Sequence, residues 1–315
     1  MKTMTMKPIL LCVLTMTLTV TGLLAQTCER TFTVSGSFVP SVIQAGDIEA
    51  TLGKQTLTIT RVEPIRSSRI LIFIVADFSR LRKDKSLERL SNRLAAIDAT
   101  PANVAMAYGI RWNGKVAFSG PFTSDPQELR SGWQKLVSGS VKRSSGPAGM
   151  RVAVEFFGPP QPGDTVVALV PVWSNVYAWR EFFLEKSIRL FFLSFNFKPG
   201  DFPLQDFTAP AYFTDGPMKI AAALGGHYSS LDRSSEQREQ QSWQNELNFW
   251  MHGIPRGYMV TVAIPDGARF EPSGWNVSVR KSVLGIEYPD LLRCDNKAKK
   301  NDRPGNRIAT AARPF

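Results

Sequence analysis

Ile70-Leu71-Ile72-Phe73-Ile74-Val75-Ala76-Asp77-Phe78-Ser79 is the stretch that decides how this chain is read. Residues 70 to 76 carry no polar side chain, and β-branched residues dominate them. A short run of that kind predicts a strand buried on both faces, as in the centre of a parallel sheet. Asp77 and Ser79 then stand at its carboxyl end, the edge where open α/β sheets present their ligand-binding groups. A carboxylate and a hydroxyl there suit a hard cation such as Mg²⁺. The plainer role for Asp77 is to cap the helix that follows, because a cap requires no second residue.

Working outward, the alternation of strand and helix continues. Leu87, Leu90, Leu94 and Ile97 fall on one helical stripe. Residues 104–110 and 115–118 read as strands joined by the tight turn Asn113-Gly114. Asp125-Pro126-Gln127-Glu128 is a helix start with a cap, a proline at the first position and a glutamate placed for a capping box. Residues 165–172 and 188–197 are further buried strands, 178–186 and 218–224 are helices, and a final sheet strand is expected near Tyr228. Ser234 and Gln237 open a long polar helix with Trp243, Leu247 and Trp250 turned inward. The expected fold class is therefore α/β: a Rossmann-like, mostly parallel sheet with helices on both faces.

The two ends differ from this middle. Residues 31–34, 48–52 and 55–62 read as extended, the last as one alternating strand after the Gly53-Lys54 turn. After Pro255, residues 258–264 and 275–281 return to strand. These extended pieces are expected to form one small β module, with the α/β unit inserted between them. The division is a signal at 1–25, an N-terminal β segment at 26–66, the α/β domain at 67–254, a C-terminal β segment at 255–292 pairing with 26–66, and a basic tail at 293–315.

Lys2 and Lys7 precede an apolar run from Pro8 to Ala25 without a charge, the pattern of a secretory signal. A retained membrane anchor is the alternative, and no other segment reads as membrane-spanning. Export makes a disulfide the expected state of Cys28 and Cys294, which lie near the two ends of the mature chain. Of the formal net charge of +11, the tail after Cys294 contributes six basic residues against two acidic ones. It has no apolar period, so it reads as a solvated, disordered segment. Outside a cell such basicity suits anionic envelope polymers or lipid headgroups. No interleaving of aromatic and basic residues marks a nucleic-acid platform.

Four segments together resemble a von Willebrand factor type A domain, and more closely the VWFA-related family of secreted bacterial proteins. They are Asp47 to Ile59, Ile72 to Ser79, Leu224-Gly225-Gly226-His227-Tyr228, and Tyr258 to Ile264 followed by Trp275 to Arg280. The resemblance spans Gly46 to Tyr288. It implies a metal-ion-dependent adhesion site, in which an Asp-x-Ser-x-Ser loop, a threonine and a further aspartate hold Mg²⁺ and a partner's acidic group completes the shell. Here Asp77 and Ser79 match, but Leu81 takes the third position. Residues 144–149 supply no threonine, and Trp173-Ser174-Asn175 stands where Asp-Gly is usual. Ser145 and Asn175 could give neutral oxygens but no charge. The implied metal site is degenerate, with Asp77 and Ser79 as its remnant.

The expected function is that of a secreted or envelope-located, non-enzymatic protein-binding module. It would use Trp173, Ser174 and Asn175 at the sheet edge and need no cofactor, with Mg²⁺ as the lesser possibility. A structural protein docking on anionic polymer through its tail is the alternative. The aromatics Trp173, Tyr177, Trp179, Phe182 and Phe183 are read first as helix core and second as a contact surface. His227 and His252 are the only histidines and neither has metal-ligand spacing. There is no phosphate-binding glycine loop, Cys-x-x-Cys or nucleophile elbow, so no enzyme is expected.

Overall fold

The computed structural model describes residues 27–35, 42–77, 92–94, 97, 100–112, 114–141, 150–170, 183, 186–194, 220–230, 236–265, 275–280 and 288–289. In chain order the first strands are β1 (Thr27–Val34), β2 (Ile48–Leu52), β3 (Gln55–Thr56), β4 (Thr58–Pro64) and β5 (Ser68–Asp77). Next come β6 (Val104–Trp112), β7 (Lys115–Phe118), α1 (Pro126–Ser138), α2 (Met150–Glu155), β8 (Thr165–Val170) and β9 (Arg189–Ser194). The chain closes with β10 (Tyr228–Ser230), α3 (Glu236–Asn248), β11 (Tyr258–Pro265) and β12 (Trp275–Val279).

Six strands form the central sheet in the order β10-β9-β8-β5-β6-β7. Every pairing is parallel except that of β7, which returns antiparallel along β6. The opening segment is the middle of this sheet. Ile70, Ile72 and Ile74 face one apolar layer with Leu129 and Trp133 of α1 and Trp243 of α3. Leu71 and Phe73 face the other, with Met150 and Val154 of α2, Phe183 and Ile220. Each buried side chain of that size contributes about 1.5–3 kcal/mol of transfer free energy, which is why the run needs no polar face. The fold is α/β with helices on both faces of a mostly parallel sheet.

Local signals act largely as read. The Asp125 carboxylate accepts from the Gln127 backbone N–H at 2.8 Å, and Gly139 ends α1 with φ +77°. Glu128 does not complete a capping box. It accepts from the Thr123 hydroxyl at 2.6 Å, while the Asp125 N–H donates to the same hydroxyl at 3.1 Å. The Gly225-Gly226 pair has two separate reasons. Gly225 sits at φ +72°, and a Cβ on Gly226 would stand 2.1 Å from the Leu190 carbonyl oxygen. Only a bare backbone lets the lead-in to β10 approach β9 that closely.

The terminal strands lie apart from the central sheet. They make two three-stranded sheets, β1-β11-β4 and β12-β2-β3, around one apolar core. The run 55–62 is not one strand: β3 pairs with β2, and β4 with β11. Leu57 lies between them, buried, so the chain turns its apolar side chain inward and passes from one sheet to the other. Phe32 and Trp275 meet edge to face across the two sheets at 5.4 Å. Cys28 falls inside β1, opposite Ile264, so the first strand begins earlier than the extended run read at 31–34. The buried period of β1 carries past Phe32 to the half-buried Cys28, which extends the ladder to Thr27.

Candidate functional site: the carboxyl edge of the central sheet

Counted from β5, the sheet strands lie in the order 3-2-1-4-5-6. Connections leave β5 in one direction and β8 in the other, so the crevice of this topology opens at the carboxyl ends of those two strands. β5 ends at Asp77 and β8 at Val170, and the two run parallel with Ile74 opposite Leu169. Two of the segments read as site loops, 77–81 and 171–175, continue from these ends in the sequence. Ser79, Leu81, Ser145, Trp173, Ser174 and Asn175 lie outside the described residues, as do Tyr177, Trp179 and Phe182. Of the aromatic group Phe183 is described, and it is fully buried in the core beneath α2.

One residue at this edge was not singled out in the sequence. The β5–β6 register slips after Ile74, and the next pair is Asp77 with Arg111. Paired residues on neighbouring strands have Cα atoms about 5 Å apart. Arg111 is exposed while Ile110 and Trp112 on either side are buried. Across the β6–β7 turn Lys115 is exposed too, opposite Trp112. The available signal was the Asn113-Gly114 turn itself: a hairpin there puts residues 111 and 115 at strand ends on the sheet edge.

Among the described residues no group of three or more His, Cys, Asp or Glu could hold a metal ion. The residue in register with the one acidic candidate is a cation.

No family model matches the chain, and no curated protein matches it. Among solved structures, BatB from Bacteroides thetaiotaomicron aligns with 16% identity and TM-score 0.36, over 58% of this chain and 98% of its own. The ArnB paralog VWA2 from Sulfolobus acidocaldarius aligns with 9% identity and TM-score 0.38, over 76% of this chain and 67% of its own. The SpRpn10 VWA domain gives 10% identity and TM-score 0.34, over 58% and 95%. The chain resembles a von Willebrand A fold. Its strand order and register carry that statement.

The opposite edge of the sheet is closed by an anchor that sequence reasoning missed. Arg69, at the start of β5, forks onto Asp164 with bonds of 2.8 and 2.7 Å. Its other N–H groups reach the carbonyls of Phe157 and Pro159, both at 2.9 Å. The guanidinium also lies over the Phe122 and Phe157 rings, 5.4 and 5.5 Å from their centroids. Phe156-Phe157-Gly158-Pro159-Pro160 is thereby tied to the start of β5. The signal was present only as a charged residue entering an apolar strand.

The histidines are apart from the carboxyl edge's described residues. His227 is bracketed by Phe191 and Phe249 at 5.1 and 4.9 Å, with Nε2 4.0 Å from Glu246. His252 is exposed in the π-turn 249–253. Tyr108, beneath α1, donates to the Leu94 carbonyl at 3.2 Å, and burial pushes its phenol well above the ordinary value of 10.0.

Proposed function

We propose that this chain is an exported, non-enzymatic protein-binding module that receives its partner at the carboxyl edge of the central sheet without Mg²⁺. The observation that carries the reading is the reversal of strand order between β5 and β8. In open α/β sheets that point is where ligands are held, and residues 77–81 and 171–175 continue from those two strands. Asp77 and Ser79 are the remnant of a metal site, and Trp173, Ser174 and Asn175 belong to the contact surface. The apolar run at 8–25 is removed on export, and Cys28 pairs with Cys294. The half-buried position of Cys28 on β1, where both chain ends meet, supports that pairing.

The test is site-specific photo-crosslinking of the mature chain in envelope extract. A crosslinking amino acid at position 79 or 174 is expected to capture the same partner, and one at exposed Thr58 on β4 is not. Adducts from position 58 alone would refute the edge as the binding face.

A further inference from the structure

We infer that a cleft at the amino end of β5, apart from the carboxyl edge, binds a small zwitterion of the α-amino acid class. The cleft has a volume of about 320 Å³ and lies on the seam between the terminal β strands and the α/β unit. Small-molecule sites of about 300–1,000 Å³ occur preferentially at such seams. One wall is the link from β4 to β5, with Glu63, Arg66 and Ser67, and the facing wall is Gln161 in the loop before β8. Pro64, Pro162 and Met259 of β11 add apolar surface.

Both walls are tied down by bonds within the chain. The Ile65 N–H donates to the Gly257 carbonyl at 2.9 Å, which holds the link against the start of β11. The Gln161 N–H donates to Asp164 at 2.7 Å, and the Arg69 fork holds Asp164 in turn. Gly163, at φ +89°, lets the walls meet at their base. A Cβ there would stand 2.7 Å from the Ser67 carbonyl oxygen and 2.8 Å from Ile65 Cγ2. A cleft fixed in this way loses little freedom when a ligand enters.

The ligand class follows from the charges. Glu63 and Arg66 line the same cleft, and no ion pair joins them. Glu63 Oε2 lies 3.8 Å from Arg61 Nε instead, a long contact between exposed groups that contributes little. Arg66 is exposed, and among the described residues its side chain has no hydrogen bond or ion pair. A guanidinium receives a carboxylate through paired N–H bonds, and a carboxylate accepts from an ammonium. A ligand with a carboxylate alone would be opposed by Glu63, and an amine alone by Arg66. A molecule with both groups on one carbon is attracted by both. The two prolines and Met259 suit an aliphatic side chain on that carbon.

The ¹⁵N-labelled mature chain is titrated with L-leucine, with isocaproate, which lacks the amine, and with isoamylamine, which lacks the carboxylate. Leucine is expected to move the Arg66 Nε–H signal and the backbone amides of residues 63, 66, 67 and 161 to saturation. Each analogue should bind about tenfold more weakly, as the loss of one charge-assisted bond implies. Arg66→Gln and Glu63→Gln should each weaken leucine binding by about the same factor. Both side chains reach solvent, so either variant should melt with the parent. Isocaproate or isoamylamine binding as tightly as leucine would overturn the inference, because one charge would then suffice. Leucine binding unchanged in Arg66→Gln, or signals that move with none of the three, would overturn it too.

Discussion

Removing the Arg69 side chain should be among the most damaging single changes in the molecule, and the geometry says by how much. The Asp164 side chain has no exposure and Arg69 retains 19%, so the acid is the partner that cannot turn to water. In Arg69→Ala the carboxylate keeps only the Gln161 N–H at 2.7 Å among its side-chain bonds in the structure, and two backbone carbonyls lose their donor. Leaving a buried charge uncompensated costs about 3–5 kcal/mol. For a chain of this size that lowers the melting temperature by about 5–8 °C. Asp164→Ala should cost less, because Arg69 keeps its two carbonyls and its partial access to solvent. The double variant Arg69→Ala/Asp164→Ala removes both charges and should be more stable than Arg69→Ala alone. Urea unfolding followed by tryptophan fluorescence gives the four corners of the cycle. A coupling energy of about 2 kcal/mol is expected. Additivity within about 0.5 kcal/mol, or a cost for Arg69→Ala below about 1 kcal/mol, would show that the fork is a surface pair of the ordinary weak kind.

Other outcomes follow from single contacts. The raised Tyr108 phenol means that above pH 10 the unfolded chain releases its proton first, so stability falls with rising pH by up to about 1.4 kcal/mol per unit. Tyr108→Phe should flatten that alkaline slope, at a cost of about 1 kcal/mol at neutral pH for the lost bond to Leu94. Gly226→Ala places a methyl against the Leu190 carbonyl and should cost more than about 2 kcal/mol, while Gly46→Ala, which meets nothing within 4 Å, should be nearly silent in the same melt. Thiol titration of the denatured mature chain should find no free sulfhydryl until a reductant is added, and two thiols without reductant would remove the proposed disulfide. Deleting residues 295–315 should leave crosslinking at positions 79 and 174 intact, whereas loss of capture would shift the binding function to the tail.

The middle of the fold was readable because each local signal agreed with its neighbours. An apolar run without polar relief admits only a two-sided burial, and the Asp125 cap, the Asn113-Gly114 turn and the Gly225-Gly226 pair each impose one backbone geometry. The ends were less readable. Alternation from Gln55 to Val62 does not reveal that Leu57 is a corner, since a strand that changes sheets keeps the same period on both sides. Arg69 and Asp164 are separated by 95 positions, and nothing in either neighbourhood announces the other. The same holds for the pairing of Arg111 with Asp77, which follows a register slip in β5 that apolar periodicity cannot encode. Candidate ligands at Asp77 and Ser79 were legible as residue types at a strand end. The register that sets Arg111 opposite Asp77 was not.

The pairing of β1 with β11 joins residues as far apart as Thr31 and Thr261, whose hydroxyls are 2.9 Å apart. During synthesis at about 5–20 residues per second, the first strand waits on the order of 10–50 s for its partner to exist. The intervening α/β body can close on nearer contacts in that interval, drawing the two ends together and shortening the loop that the late pairing must span. Until then β1 offers an unpaired ladder to any neighbouring chain. A ribosome stalled before residue 258, or a protease cut just before it, leaves a nascent or clipped product with a folded body and an adhesive first strand.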